Sequence, residues 1–223
     1  MTGSLSIPNF EASINLGKFD FAYMNPYQVL QAIKKQEYVP LVRNGGRKLQ
    51  GIIVVRKDSP FTTPELLDGK KIAFPSANAL GASILVRAEL REKFKIKILP
   101  VYVQTHSSVY LSVILGETAA GGGVLSTLDK QKPAVRNALK IIYKTRLAPP
   151  HAVMANSMVL RRQRGKVRRA FLEMAKTKEG RRLLEKIPMR DAVTASAADY
   201  WPMAAWGLEK IYAGPLMKKA DGK

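Results

Sequence analysis

Apolar and polar positions along this chain change period repeatedly, and the changes mark out its elements. Residues 10–16 have the spacing of a helix end, closed by Gly17 just after the last turn. Phe19-Asp-Phe-Ala-Tyr-Met24 alternates and then runs apolar, which predicts a strand, and Asn25-Pro26 stops it. A helix over 27–36, with Val29, Leu30 and Ile33 inward, leads to a strand over 39–42 and a turn over 43–47. The β-branched run Gly51-Ile-Ile-Val-Val-Arg56 predicts a further strand. After a loop in which Thr63-Pro64 fits the start of a one-turn helix, strand and helix signals alternate. Strands fall at 71–74, 96–103, 119–125 and 140–143, with helices over 79–92, 107–115 and 128–138 between them. That order predicts an α/β fold with a mostly parallel sheet covered by helices.

Pro149-Pro150 marks a boundary, and 151–155 reads as another strand. The remainder is helical in pattern, over 158–175, 178–186 and 197–212. The last of these carries Tyr200, Trp201, Met203, Ala204, Trp206 and Leu208, an apolar density that suits core packing better than a cofactor box. The tail from Pro215 is polar and reads as frayed. The stretches 51–56 and 151–155 are both strands, so the predicted layout is two lobes joined by a pair of hinge strands. Residues 1–56 with 146–223 form the first lobe, and 57–145 is inserted as the second.

One junction stands apart. In Lys71-Ile-Ala-Phe-Pro-Ser-Ala-Asn-Ala-Leu-Gly-Ala-Ser83 a short strand breaks at a proline, which cannot donate to a sheet ladder, into a small-residue turn that opens a helix. Ser76 or Asn78 is positioned to cap that helix. Unpaired amides at the positive end of a helix make such a turn a possible anion site, with small side chains allowing close approach. Two further strand ends have the same form. His106 ends one strand, before Ser107-Ser108, which can cap the next helix, and Gly121-Gly-Gly-Val124 ends another. Ligands of open α/β sheets gather outside the carboxyl ends of strands. A lone histidine at a helix start can equally pack or cap, and both readings of His106 stand. Tyr23-Met-Asn-Pro-Tyr27 is a similar junction in the first lobe, where Asn25 offers an amide and Tyr23 an apolar wall with a hydroxyl tip, or simply a turn with buried aromatics.

Composition narrows the chemistry. With 46% apolar and 24% charged residues in 223, the chain can build a core and is not of disordered type. The absence of cysteine removes disulfides, thiolate metal sites and thiol nucleophiles together. Two histidines, no metal-ligand spacing and no nucleophile elbow or phosphate-binding loop leave catalysis poorly motivated, so no enzyme, catalytic residue, metal or cofactor is expected. The net charge of +20 is compatible with nucleic acid, an acidic surface or small anions. It is not spread evenly: 161–182 holds ten Lys and Arg against two Glu, while 73–85 is nearly neutral. Such a run is more often a solvated helix face than a nucleic-acid contact, so no nucleic-acid partner is expected. No run is long enough to span a bilayer, and 1–14 lacks the pattern of a secretory signal.

The order of elements resembles the periplasmic solute-binding proteins of phosphate, phosphite and phosphonate ABC transporters, within the type 2 periplasmic-binding-protein fold. The stretches that carry the resemblance are Gly17-Lys-Phe-Asp-Phe-Ala-Tyr-Met-Asn-Pro26, Ile52-Ile-Val-Val-Arg-Lys-Asp-Ser59, Leu66-Leu-Asp-Gly-Lys-Lys-Ile-Ala-Phe74, Thr105-His-Ser-Ser-Val-Tyr-Leu-Ser-Val-Ile-Leu-Gly116 and Ala119-Ala-Gly-Gly-Gly-Val124, within roughly 8–212. The resemblance implies a two-lobed α/β protein whose lobes close on a small oxoanion, a periplasmic location, and an ABC transporter permease as partner. Carried over by position, the ligand-binding residues become Tyr23, Asn25, Ser76, Asn78, Gly81, Ser83, His106, Ser107 and Ser108. The turn Asn78-Ala-Leu-Gly-Ala82 has fewer hydroxyls than phosphonate-binding members carry, and Leu49-Gln50 stands where a tyrosine is often found. The family's leading strand and helix have no counterpart ahead of Ser4, so the first lobe is expected to be incomplete at its N-terminus. Two other functions stay open at this point, the ligand-sensing domain of a signalling protein and a basic nucleic-acid-binding protein.

Overall fold

A computed structural model describes residues 7–35 and 37–212. In chain order the elements are α1 (Ile7–Asn15), β1 (Phe21–Met24), α2 (Pro26–Lys34), β2 (Tyr38–Asn44), β3 (Leu49–Arg56), β4 (Lys71–Phe74), α3 (Leu85–Glu92), β5 (Leu99–Tyr102), α4 (His106–Ile114) and β6 (Ala120–Val124). They continue with α5 (Leu125–Leu128), α6 (Pro133–Asn137), β7 (Leu139–Ala148), β8 (Ala152–Asn156), α7 (Arg161–Lys176), α8 (Lys178–Leu184) and β9 (Ala192–Thr194). A π turn at Leu80–Ile84 leads into α3, and a 3-10 turn at Pro64–Leu67 precedes β4.

The chain forms two compact units, one built on Leu49–Leu147 and the other on Asn9–Lys48 with Ala148–Trp206. It passes between them at 48/49 and 147/148, and also at 8/9 and 206/207, where Gly207 onward rejoins the unit of Leu49–Leu147, whereas the sequence pattern puts the passages at 56/57 and 145/146. The difference arises because β3 pairs along β6, Gly51 opposite Val124, and so belongs wholly to the sheet of the first unit.

That sheet has five strands in the order β5-β4-β6-β3-β7. β4 runs parallel to both β5 and β6, as the element order implies, but β3 joins antiparallel to β6, so the sheet is mixed. Periodicity reports which faces are buried and not which way a strand runs, so the sequence pattern misses this. β3 is apolar on both faces because both are covered. Ile53 and Val55 pack with Phe74, Val86 and Leu90 beneath α3, while Ile52 and Val54 pack with Val109, Tyr110 and Val113 of α4.

The other unit carries a four-stranded sheet in the order β1-β8-β2-β9, with each neighbouring pair antiparallel. Pro40 cannot donate to the ladder, and the register of β2 on β8 shifts between Pro40 and Val42. Val167, Phe171 and Leu172 of α7 lie against Leu41, Val42 and Ala155. The basic run at the start of α7 thus rides on an amphipathic helix. On the opposite face Met24, Val29, Tyr38 and Tyr200 are buried together.

Two predicted helices come out differently. The stretch 128–138 splits into α5 and α6 because Pro133 starts a new helix at its first position. The stretch 197–212 is three 3-10 turns, Ala197–Asp199, Trp201–Trp206 and Leu208–Lys210. Pro202 removes a helical donor there and Gly207 turns the chain at φ +63°. Tyr200, Met203 and Leu208 are buried as the apolar density suggests, whereas Trp201 is 44% exposed. The segment from Pro215 lies outside the described residues.

Candidate functional site

Because β4, β5 and β6 are parallel, Phe74, Tyr102 and Val124 end at one edge of the five-stranded sheet. The turn at 75–79, the start of α4 and the start of α5 all leave from that edge. The first junction is not capped as predicted. Ala79 stands at the N-cap position and no side chain caps the turn, because the amides of Ser83 and Ile84 both donate to the Ala79 carbonyl, at 2.8 and 3.1 Å, and so wind a π turn. The carbonyls of this turn come hard against glycines of the sheet. A Cβ on Gly51 would lie 2.1 Å from the Gly81 carbonyl oxygen, and one on Gly122 would lie 2.2 Å from that of Ala82. The turn is therefore pressed onto the sheet backbone, with Gly81 and Ser83 buried and Asn78 3% exposed.

Arg87, one helical turn beyond Ser83, holds the junction closed. Its Nε donates to Ser83 Oγ at 3.1 Å, its Nη2 donates to the Ala77 carbonyl, and the guanidinium lies 6.0 Å from the Tyr102 ring. Burial lowers the pKa of Arg87 from its ordinary value, opposed by Tyr102, and an arginine remains charged under such a shift. The amides of Leu80, Gly81 and Ala82 have no acceptor among the described residues. Ser76 Oγ is buried with no hydrogen-bond partner among the described residues.

At the second junction Thr105 is the cap rather than Ser107 or Ser108. Its Oγ1 accepts from the Ser108 amide at 3.0 Å and lies 2.8 Å from Ser108 Oγ. His106 opens the nine-residue helix α4, and the amides of His106 and Ser107 have no acceptor among the described residues. Ser107 Oγ donates to Gln131 Oε1 at 3.4 Å. Gln104 turns the chain into this helix at φ +70°, a left-handed conformation that costs a side-chain-bearing residue about 1 kcal/mol. The His106 ring is tied from behind: Nδ1 lies 3.4 Å from Thr127 Oγ1, which is 2.8 Å from the Tyr110 hydroxyl and 2.7 Å from the Val124 carbonyl. Burial lowers the pKa of His106, so it is neutral at pH 7.

The other unit holds Tyr23 and Asn25. Asn25 Oδ1 accepts from the amides of Tyr27 and Gln28 at 3.0 Å each, while Gln28 Oε1 accepts from the Asn25 amide, so the side chain is one half of a capping box. Tyr23 stacks on His151 with ring centroids 5.2 Å apart. Burial pushes the Tyr23 phenol up to about 12 and the His151 imidazole down to about 4. His151 therefore binds protons more weakly folded than unfolded, where its pKa is near 6.5. Its contribution is present above pH 6.5 and is lost as pH falls from there towards 4. The full shift would amount to about 3 kcal/mol, discounted to about 2 because His151 as a whole residue is only partly buried. The melting temperature should fall between pH 7 and 4.5, and His151→Phe should flatten that fall. An unchanged slope in the variant would refute the assignment.

Arg87, Thr105, Tyr110 and Thr127 are the residues that pattern reading misses. The i, i+4 spacing of Ser83 and Arg87 and the hydroxyl one residue ahead of His106 were the available signals. Among the described residues no group of three His, Asp or Glu could hold a metal, and no helix is long and apolar enough to cross a membrane.

The fold is similar to that of a Prochlorococcus marinus protein solved with methylphosphonate, at TM-score 0.76 and 12% identity over 91% of this chain and 82% of that one. It is similar to a binding-protein component of an ABC phosphonate transporter from Pseudomonas aeruginosa, at TM-score 0.75 and 15% identity over 91% and 72%. The aliphatic sulfonate binding protein of Escherichia coli is more distant, at TM-score 0.61 and 14% identity over 95% and 82%. No curated protein matches the chain in sequence. Residues 5–200 match the family of periplasmic substrate-binding proteins of phosphonate ABC transporters. The chain belongs to that family of ABC-transporter substrate-binding components and has its type 2 periplasmic-binding-protein fold.

Proposed function

We propose that this chain captures a small phosphorus oxoanion, of the phosphonate, phosphite or phosphate type, for delivery to an ABC permease in the periplasm. The observation that supports this most directly is Ser76. Among the described residues its hydroxyl is withdrawn from solvent with no partner, in a turn whose following amides have no acceptor there either and which Arg87 backs with a positive charge. A buried hydroxyl calls for a partner, and an oxoanion supplies several acceptors at once. The start of α4 offers the amides of His106 and Ser107, the hydroxyls of Ser107 and Ser108, and a helix dipole of the right sign. In this reading Ser76, His106, Ser107 and Ser108 touch the ligand, and Asn78, Gly81 and Ser83 shape the turn.

Binding to the native state alone raises stability by about 2.7 kcal/mol at a ligand concentration one hundred times Kd. For a chain of this length that is a rise of roughly 5 °C or more in melting temperature. Methylphosphonate, phosphite and phosphate are the panel to test, by thermal shift and calorimetry. The reading fails if none of them shifts the melting temperature and none gives a saturable heat.

A further inference from the structure

The hydrogen bonds behind His106 determine which of its ring nitrogens carries the proton. Thr127 has one hydroxyl hydrogen and three polar neighbours: the Val124 carbonyl at 2.7 Å, the Tyr110 hydroxyl at 2.8 Å and His106 Nδ1 at 3.4 Å. A carbonyl oxygen only accepts, so the Thr127 hydrogen belongs to Val124. Sending it elsewhere would leave two oxygens 2.7 Å apart with no hydrogen between them. Tyr110, which also approaches the Val124 carbonyl at 3.5 Å, then donates to Thr127, and the remaining Thr127 lone pair faces His106 Nδ1 at 3.4 Å, an arrangement that favours a hydrogen on Nδ1. In a neutral imidazole this leaves Nε2 as a bare acceptor. Nε2 has no partner among the described residues and is not among the buried unpartnered atoms.

We infer that Thr127, supported by Tyr110, is a specificity-determining residue that holds His106 as a hydrogen-bond acceptor, so that the site selects an oxoanion bearing an acidic hydrogen. The inference rests on the functional reading above and adds a ligand class to it. A singly protonated phosphonate presents P–OH to Nε2 and its other oxygens to the amides and hydroxyls of the site. A sulfonate has the same tetrahedral shape and the same single negative charge but no hydrogen to donate. Its oxygen would face the Nε2 lone pair, leaving the acceptor unsatisfied and two lone pairs opposed. Thr127 acts through His106, and no contact of its own with ligand is required.

The test compares methylphosphonate with methanesulfonate by calorimetry at neutral pH, alongside 15N NMR of the His106 ring. The expected spectrum of the free protein has Nδ1 protonated and Nε2 bare. The expected preference for methylphosphonate is roughly tenfold to a hundredfold. Thr127→Val removes the acceptor at Nδ1 and should narrow that preference towards parity, while Thr127→Ser restores it. A merely structural role for Thr127 would weaken both anions equally and leave the ratio unchanged, which would overturn the inference. A free protein with hydrogen on Nε2, or equal affinity of the wild type for both anions, would also overturn it while leaving oxoanion binding standing. If neither methylphosphonate nor methanesulfonate binds although the Nδ1–H tautomer is observed, the inference fails, and the functional reading fails with it when phosphite and phosphate give no binding either.

Discussion

Gly122→Ala is expected to lower the stability of this protein by about 3 kcal/mol or more. A Cβ at Gly122 would lie 2.2 Å from the Ala82 carbonyl oxygen and 2.5 Å from two atoms of the Phe74 ring. Real Cβ atoms do not approach backbone that closely, so β6 or the π turn has to move. Neither moves easily: β6 is hydrogen-bonded to β4 on one side and β3 on the other, and Phe74 is fully buried. Gly165 provides the control. It lies inside α7, where the nearest atom to an added Cβ is the end of the Arg169 side chain at 3.9 Å. There the same substitution should stabilise by about 0.5–1 kcal/mol, through helix propensity and a less flexible unfolded chain. Denaturant midpoints of the two variants should therefore move in opposite directions. An unshifted midpoint for Gly122→Ala would show that the turn does not rest on the sheet as described.

The same close approach explains what could and could not be read from the chain. The element order and the family were legible because they depend on local apolar spacing and on turn residues such as Asn25-Pro26 and Gly17. The strands 71–74 and 51–56 were identifiable from composition alone. The meaning of the small residues after Pro75 was not. Gly51 and Gly122, far away in sequence, are glycines because the carbonyls of Gly81 and Ala82 come against them, and a Cβ on Gly81 would itself lie 2.9 Å from Val124 Cγ2. Spacing along the chain cannot distinguish a turn made small for a ligand from one made small for a sheet. The caps were misplaced for a related reason. Thr105, Ser107 and Ser108 all carry hydroxyls, and the choice among them depends on which backbone turns into the helix, which Gln104 decides at φ +70°. That His106 stands at a strand-to-helix junction was readable, although it opens α4 rather than ending the strand, which stops at Tyr102, whereas its ties to Thr127 and Tyr110 are tertiary. Strand direction was legible for β4, β5 and β6, whose alternation with helices implies the parallel arrangement found, but not for β3, since its antiparallel course leaves the same β-branched signature as a parallel one.

Glu89→Ala should be the other strongly destabilising change, by about 2–3 kcal/mol. In the sequence Glu89 looks like one of many carboxylates on a helix surface between arginines. In the structure it is 3% exposed. Its Oε1 accepts from the Arg146 amide at 3.0 Å and from Arg146 Nε at 2.9 Å, and its Oε2 accepts from the Tyr143 hydroxyl. Burial first, and then the adjacent carboxylate, push the ionisation of Tyr143 up, so the phenol keeps its proton and donates. Alanine would strand one backbone amide and one phenol without acceptors, and removing half of a buried pair is what makes such changes costly. The value lies below that of a fully buried pair because the Arg146 side chain is 46% exposed and recovers water. Glu89→Gln keeps one acceptor and should fall between the two. Tyr143→Phe removes one donor and should cost about 1 kcal/mol. In the double variant the phenol no longer needs an acceptor, so the combined loss should be smaller than the sum of the singles. Strict additivity would break the assignment of Tyr143 to Glu89, and a Glu89→Ala variant within 0.5 kcal/mol of wild type would break the whole cluster. The pairing also bears on the site, since Glu89 fastens α3 to β7 and the same helix carries Arg87. Oxoanion affinity should therefore drop in Glu89→Ala even though Glu89 lies outside the proposed ligand contacts.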